Sequence, residues 1–182
     1  MNTMTIDQTY STTVAKFSDL IMRATVAQVE QASVWYFEAE AVAREVAQNM
    51  TLDLERASCI VSAFSPRERW SVNVRKALQY SIGQTPTGLS NNVAMADASL
   101  VYGFDALKGL KTNAFARAIA GDTNAVVIDV WMCRAADLGT DSPNKTQYNM
   151  VADAVRDAAQ LFGLSPRTAQ ALIWIIVRGS AA

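Results

Sequence analysis

From Tyr10 to Glu30 the apolar positions Val14, Phe17, Leu20, Ile21, Ala24 and Val29 recur at intervals of three and four, the period of a helix with one apolar face. A second helix is predicted over Val34 to Met50, where Trp35, Phe37, Ala41, Val42 and Val46 alternate with Glu38, Glu40, Arg44 and Glu45. Thr51 is placed to cap a third that carries Leu54, Ala57, Ile60 and Val61 and runs to Phe64. Ser65-Pro-Arg-Glu68 has the form of a capping box with proline at the first helical position, predicting a helix through Trp70, Val74 and Leu78 to about Ile82.

Gly83 to Gly88 breaks the pattern, and Ser90 is placed to cap a helix over Asn91 to Tyr102, ended by Gly103. Two short helices, Asp105 to Leu107 and Lys111 to Ala120, flank Lys108-Gly109-Leu110. Ala125 to Ile128 is the one segment with strand character. It is too short and solitary to build a sheet, and reads as a buried entry to the helix Val130 to Leu138. Helices over about Gln147 to Phe162 and Pro166 to Arg178 follow, the last opened by Ser165-Pro166. The expected fold is all-α, with about nine or ten helices in one bilobal domain. Residues 1–50 and about 140–182 would form a scaffold lobe, and about 51–139 a hairpin-containing lobe.

Composition narrows the chemistry. A chain of 182 residues, 51% hydrophobic with 8 Gly and 4 Pro, can bury a substantial core. Histidine is absent, which excludes Ser/His and Cys/His nucleophile pairs and histidine metal sites. Cys59 and Cys133 stand alone in apolar segments, so no thiolate metal site is expected, and neither is a cofactor. They read as reduced core residues of a cytoplasmic protein. The longest apolar run, Ala171 to Val177, is far short of the ~20 residues that span a bilayer. No basic, then apolar, start marks a secretory signal.

The net charge of −1 argues by itself against a nucleic-acid partner, but the charge is unevenly distributed. Residues 1–60 carry four Lys/Arg against eight Asp/Glu, and residues 61–182 carry twelve against nine. Arg67, Arg69, Arg75 and Lys76 form one basic cluster, and Lys108, Lys111 and Arg117 another. They are candidates for a phosphate-binding face; a solvated helix surface is the competing reading.

Asp129 enters a helix from an apolar run eighteen residues after Lys111, which itself opens a predicted helix behind a turn. A carboxylate in a dry pocket stabilises positive charge growing on a sugar as its base departs. A lysine partly neutralised by burial or by a helix start can attack that sugar. The pair therefore points to base-excision chemistry on DNA. Such chemistry requires the base to leave the stack while a side chain such as Phe64, Arg67 or Arg69 holds the gap.

The order Ile60-Val-Ser-Ala-Phe64, then Leu107-Lys-Gly-Leu-Lys-Thr112, then Val127-Ile-Asp-Val-Trp-Met-Cys-Arg134 with Leu138-Gly139 resembles the helix-hairpin-helix DNA glycosylases related to endonuclease III. The resemblance covers residues 52–139. It implies Asp129 as the catalytic carboxylate, Lys111 as the Schiff-base amine, and Phe64 or the Ser65 to Arg69 turn as the wedge. This chain lacks the hairpin's second glycine, has Trp131 in place of a histidine, and has no four-cysteine cluster loop. As a whole it is similar to small bacteriophage and actinobacterial proteins that show Ser-Pro-Arg-x-Arg-Trp-x-x-Asn, here Ser65 to Asn73, with Ile128-Asp-Val-Trp131 and Gln170-Ala-Leu-Ile-Trp174.

The expectation is a DNA-binding N-glycosylase or AP lyase. Asp129 and Lys111 would be its working pair; Phe64, Arg67, Arg69, Arg75, Lys76, Lys108, Gly109 and Arg117 would meet DNA; Trp70, Asn73, Trp131 and Arg134 would line the pocket. The alternatives are a non-catalytic phage accessory protein that binds DNA or a host protein, and a phage enzyme for hypermodified thymine. Each residue also has a structural reading: Asp129 as an N-cap, Lys111 as a solvated lysine, Trp70, Trp131 and Trp174 as core, and Arg134 and Arg178 as partners of buried carboxylates.

Overall fold

The computed structural model describes residues 6–88 and 90–179. Among them are nine α-helices, one 3₁₀ turn and no strand. The helices are α1 (Ile6–Met22), α2 (Val26–Met50), α3 (Leu54–Ala63), α4 (Trp70–Ser81), α5 (Ser90–Tyr102), α6 (Leu110–Ile119), α7 (Val130–Ala135), α8 (Lys145–Leu161) and α9 (Pro166–Arg178). The 3₁₀ turn covers Gly103–Ala106. The all-α expectation holds; several boundaries move, each for an identifiable reason.

The first two helices are divided at Thr25 rather than near residue 32. Thr25 Oγ1 accepts from the Gln28 N–H at 3.3 Å, and Gln28 Oε1 accepts from the Thr25 N–H at 2.9 Å. This reciprocal box satisfies two donors at the start of α2, an advantage hidden beneath an uninterrupted apolar period. At α3 the cap is Asp53, accepting from Arg56 N–H at 2.8 Å, while Thr51 sits in the left-handed region at φ 56°. The Ser65 box does not form. Ser65 to Glu68 is a turn closed by Glu68 N–H to Ser65 O at 3.3 Å, Arg67 takes φ 62°, and α4 begins only at Trp70. Glu68 pairs with Lys76 instead of reaching back, and Ser65 Oγ is buried without a hydrogen-bond partner among the described residues.

The chain divides into two compact units, one of residues up to Trp35 with Thr123 onward, the other of Tyr36–Asp122. The divisions fall at 35/36 and 122/123. Asp129 consequently belongs with the chain ends, and Lys111 to the other unit.

In the first unit α8 packs on α1 and α9, and α7 packs on α9. Val151, Val155, Ala158 and Ala159 give α8 one buried face, met by Ile173 and Ile175 of α9 and Phe17 of α1, all at most 1% exposed. Burial of each of the larger side chains contributes about 1.5–3 kcal/mol. The segment Ala125–Ile128 is buried and non-helical, as expected, and one side chain bonds its backbone at two points. Tyr148 Oη donates to Val126 O at 3.0 Å and accepts from Ile128 N–H at 3.2 Å.

In the second unit α3 is the centre, buried continuously from Ala57 to Phe64 and packed by α4, α5, α6 and the 3₁₀ turn. Ala57, Ser58, Cys59, Ser62 and Ala63 are small enough to let neighbours approach from every side. Phe115 of α6 receives Tyr36 of α2 and Trp70 of α4 edge-on, at ring distances of 6.5 and 6.3 Å. Asn49 Nδ2 donates to Ser81 Oγ at 2.9 Å. Thus the Tyr36–Asn49 stretch of α2 and α4 run the same way, their starts joined by Phe115 and their ends by this bond.

Candidate nucleic-acid interface

The hairpin before α6 is held from within. Asn113 Nδ2 donates to Phe104 O at 2.8 Å and Leu107 O at 3.2 Å, tying the 3₁₀ turn to α6, while Thr112 Oγ1 donates to Gly109 O at 3.0 Å. Ser62 Oγ of the buried α3 donates to Thr112 O at 2.7 Å, anchoring the first turn of α6 to the core. Leu107 is 2% exposed, whereas Lys108 and Gly109 face solvent. Gly109 has an ordinary φ of −75°; what favours glycine is space, since a Cβ would meet Thr112 Oγ1 at 3.0 Å.

Two helices of this unit start without a side-chain cap, α4 at Arg69 and α6 at Gly109. Arg67 and Arg69 are exposed beside the first, Lys108 is exposed and Lys111 half-buried beside the second. None of the four makes an ion pair among the described residues, although Arg44, Arg56 and Lys76 of the same unit all do. Helix starts carry roughly half a positive charge from aligned peptide dipoles. Each helix start thus adds to the positive charge of the cations beside it.

Other expected contacts fall elsewhere. Phe64 is 1% exposed and packs on Tyr80 at 5.6 Å; it closes the end of α3 and cannot serve as a wedge without unfolding it. Lys76 is 7% exposed and paired with Glu68, so its charge is internally neutralised rather than presented to phosphate. A Cβ on Gly88, at φ 132°, would lie 2.5 Å from Lys76 Nζ, so the α4–α5 loop closes over this pair. Arg75 lines a groove between α2 and α4 with Glu45. Arg117 is exposed, its guanidinium 4.3 Å from the Phe104 ring centre and its Nε donating to Asn113 Oδ1 at 2.8 Å. Of the pocket candidates in this unit, Trp70 packs on Phe115, and Asn73 is 2% exposed with a buried Oδ1 that has no hydrogen-bond partner among the described residues.

Asp129 in the first unit is the N-cap of α7. Its Oδ1 accepts from the N–H groups of Trp131 and Met132 at 2.9 and 3.1 Å, and its Oδ2 accepts from Trp174 Nε1 at 2.9 Å. It is half-buried. Trp174 has Trp35 at 5.4 Å and the Arg178 guanidinium at 4.7 Å from its ring centre. Arg134 is exposed, lies 5.0 Å from the centre of Trp131, and pairs with Asp141 at 2.9 Å, which holds its pKa above the usual arginine value. It is therefore no partner of Asp129. Burial pushes the Cys133 thiol up to about 11 and the Cys59 thiol up to about 12. Among the described residues no three His, Cys, Asp or Glu side chains are grouped to hold a metal, and no helix is long and apolar enough to cross a membrane.

This chain belongs to the family of unknown function DUF7178, whose model matches residues 1–181. No curated protein matches it, and no solved structure does.

Proposed function

We propose that the protein binds the phosphate backbone of double-stranded DNA, without reading sequence, through the starts of α4 and α6. The observation that carries this reading is the set Arg67, Arg69, Lys108 and Lys111: four cations without ion-pair partners among the described residues, beside two helix ends that lack side-chain caps. Uncompensated cations release condensed counterions when they meet phosphate, a drive that does not depend on base identity. Titration of a labelled mixed-sequence duplex by fluorescence anisotropy at low salt tests it. Saturable binding that is lost in the R67A/R69A/K108A/K111A variant is expected; undetectable binding by the unaltered protein would overturn the reading in favour of a host-protein-binding module.

Base excision with Asp129 as its carboxylate is a second reading, favoured by one feature. Three N–H donors hold the Asp129 carboxylate in one orientation while it stays half-buried, the kind of fixed negative charge that an oxocarbenium-like sugar needs. Borohydride reduction in the presence of abasic duplex DNA would trap the covalent adduct, and Lys111→Met would abolish it. The same assay run on duplex carrying hypermodified thymine separates the phage-enzyme alternative. Binding without a trapped adduct or released base on either DNA leaves Asp129 as a helix cap alone.

A further inference from the structure

One acid stands inside the basic stretch before α4. Glu68 lies between Arg67 and Arg69, and exposure alternates along the three: both arginines are exposed and Glu68 is half-buried. Its Oε1 accepts from Lys76 Nζ, and the Lys76 side chain is 9% exposed against 22% for Glu68. Lys76 leaves α4 on its buried side, with Asn73 and Ala77. Gly88 closes over the pair at φ 132°, where a Cβ would lie 2.5 Å from Lys76 Nζ and 3.9 Å from Glu68 Oε1. A carboxylate left in water between two arginines pairs with either of them and cancels one of the charges offered to phosphate. Lys76 takes Glu68 out of that competition, and neither arginine enters an ion pair among the described residues.

We propose that Lys76 is a positioning residue for phosphate binding: it holds the Glu68 carboxylate beneath Gly88 and so keeps Arg67 and Arg69 uncompensated. Lys76 does not itself meet phosphate; it acts through Glu68. The inference rests on the DNA-binding reading of the α4 start. It gives a use to a buried ion pair, a feature that apolar residues of similar volume replace at little cost to stability.

Fluorescence anisotropy of a labelled duplex across a salt series compares the unaltered protein with K76M and K76M/E68Q, and circular dichroism checks that each variant keeps its helices. K76M removes no cation that meets phosphate. It is nevertheless expected to bind about fivefold more weakly at low salt, with a salt slope smaller in magnitude by about one, because Glu68 then occupies an arginine. K76M/E68Q, which lacks the competing carboxylate, is expected to regain the slope of the unaltered protein and its affinity to within about twofold. A second readout needs no DNA: solvent exchange of the Arg67 and Arg69 Nε–H groups, followed by NMR, is expected to slow in K76M and to recover in the double variant. An unaltered protein that binds no duplex overturns the DNA-binding reading and the role in phosphate binding with it, while the exchange rates report separately whether Lys76 keeps Glu68 off the arginines. Where the unaltered protein binds, K76M with undiminished affinity and slope, unchanged exchange in K76M, or a double variant as weak as K76M would each overturn the proposal; the last result would mean that Lys76 meets phosphate itself or serves the fold alone.

Discussion

The indole Nε1 of Trp174 donates to Asp129 Oδ2 at 2.9 Å, joining the last helix to the carboxylate that caps α7. Two elements far apart in sequence therefore depend on one side chain. Removing a cap costs about 1 kcal/mol, and leaving a part-buried donor unsatisfied costs about another 1 kcal/mol or more. Asp129→Ala should lose about 2 kcal/mol in urea unfolding and Trp174→Phe about 1 kcal/mol. The double variant should fall short of their sum by roughly 0.5–1 kcal/mol. Strict additivity would show that the indole–carboxylate bond contributes nothing.

Tyr148 Oη bonds the buried backbone at both Val126 O and Ile128 N–H. Tyr148→Phe should cost about 1–3 kcal/mol, since it leaves a buried carbonyl and a buried N–H without their partner. Burial also pushes the Tyr148 phenol up to about 12. The folded state then keeps a proton that the unfolded chain releases near pH 10, so this group's contribution is complete below pH 10 and is lost as pH rises toward 12. Urea midpoints measured across that range should fall less steeply for Tyr148→Phe than for the unaltered protein.

The Glu68–Lys76 pair predicts an asymmetry. Lys76 is the more deeply buried partner, 9% exposed at the side chain against 22% for Glu68. Glu68→Gln, which leaves an ammonium buried opposite a neutral amide, should destabilise by about 2–4 kcal/mol. Lys76→Met retains the volume and leaves Glu68 to hydration, and should cost under about 1.5 kcal/mol. Equal losses in thermal or urea unfolding would contradict the burial difference.

Arg67 should separate stability from binding. Its φ of 62° is a left-handed conformation that costs a non-glycine residue about 1 kcal/mol or more, partly offset by the greater freedom of glycine when unfolded. Arg67→Gly is expected to be neutral or stabilising by up to about 1 kcal/mol, while weakening duplex binding. A variant that unfolds more easily, or binds unchanged, would contradict this account of the turn.

The helix content was legible because the apolar period is strong in nearly every segment, and the buried entry at Ala125–Ile128 was legible from its length. Boundaries failed where capping chemistry competed. Thr25-x-x-Gln28 lies inside a periodic stretch that masks its capping, and Ser65-x-x-Glu68 has the form of a box but gives Glu68 to a buried lysine eight residues on. The Asp129 cap was readable from its position, but its bond to Trp174 was not, because forty-five residues separate them. Phe64 misled for a similar reason: a large apolar residue beside a turn has the same sequence signature whether it projects outward or closes a helix. No local pattern distinguishes exposed Arg67 and Arg69 from buried Lys76, since the difference lies in which cation finds Glu68.

The salt dependence of duplex binding reports how many phosphates the starts of α4 and α6 neutralise. With four phosphate contacts at the starts of α4 and α6, the logarithm of the association constant should fall against the logarithm of salt concentration with a slope of roughly −3 to −4. Each of R67A, R69A, K108A and K111A should reduce the magnitude of that slope by about one and weaken binding alike on unrelated sequences. A slope near zero, or one that none of these four substitutions changes, would contradict the account.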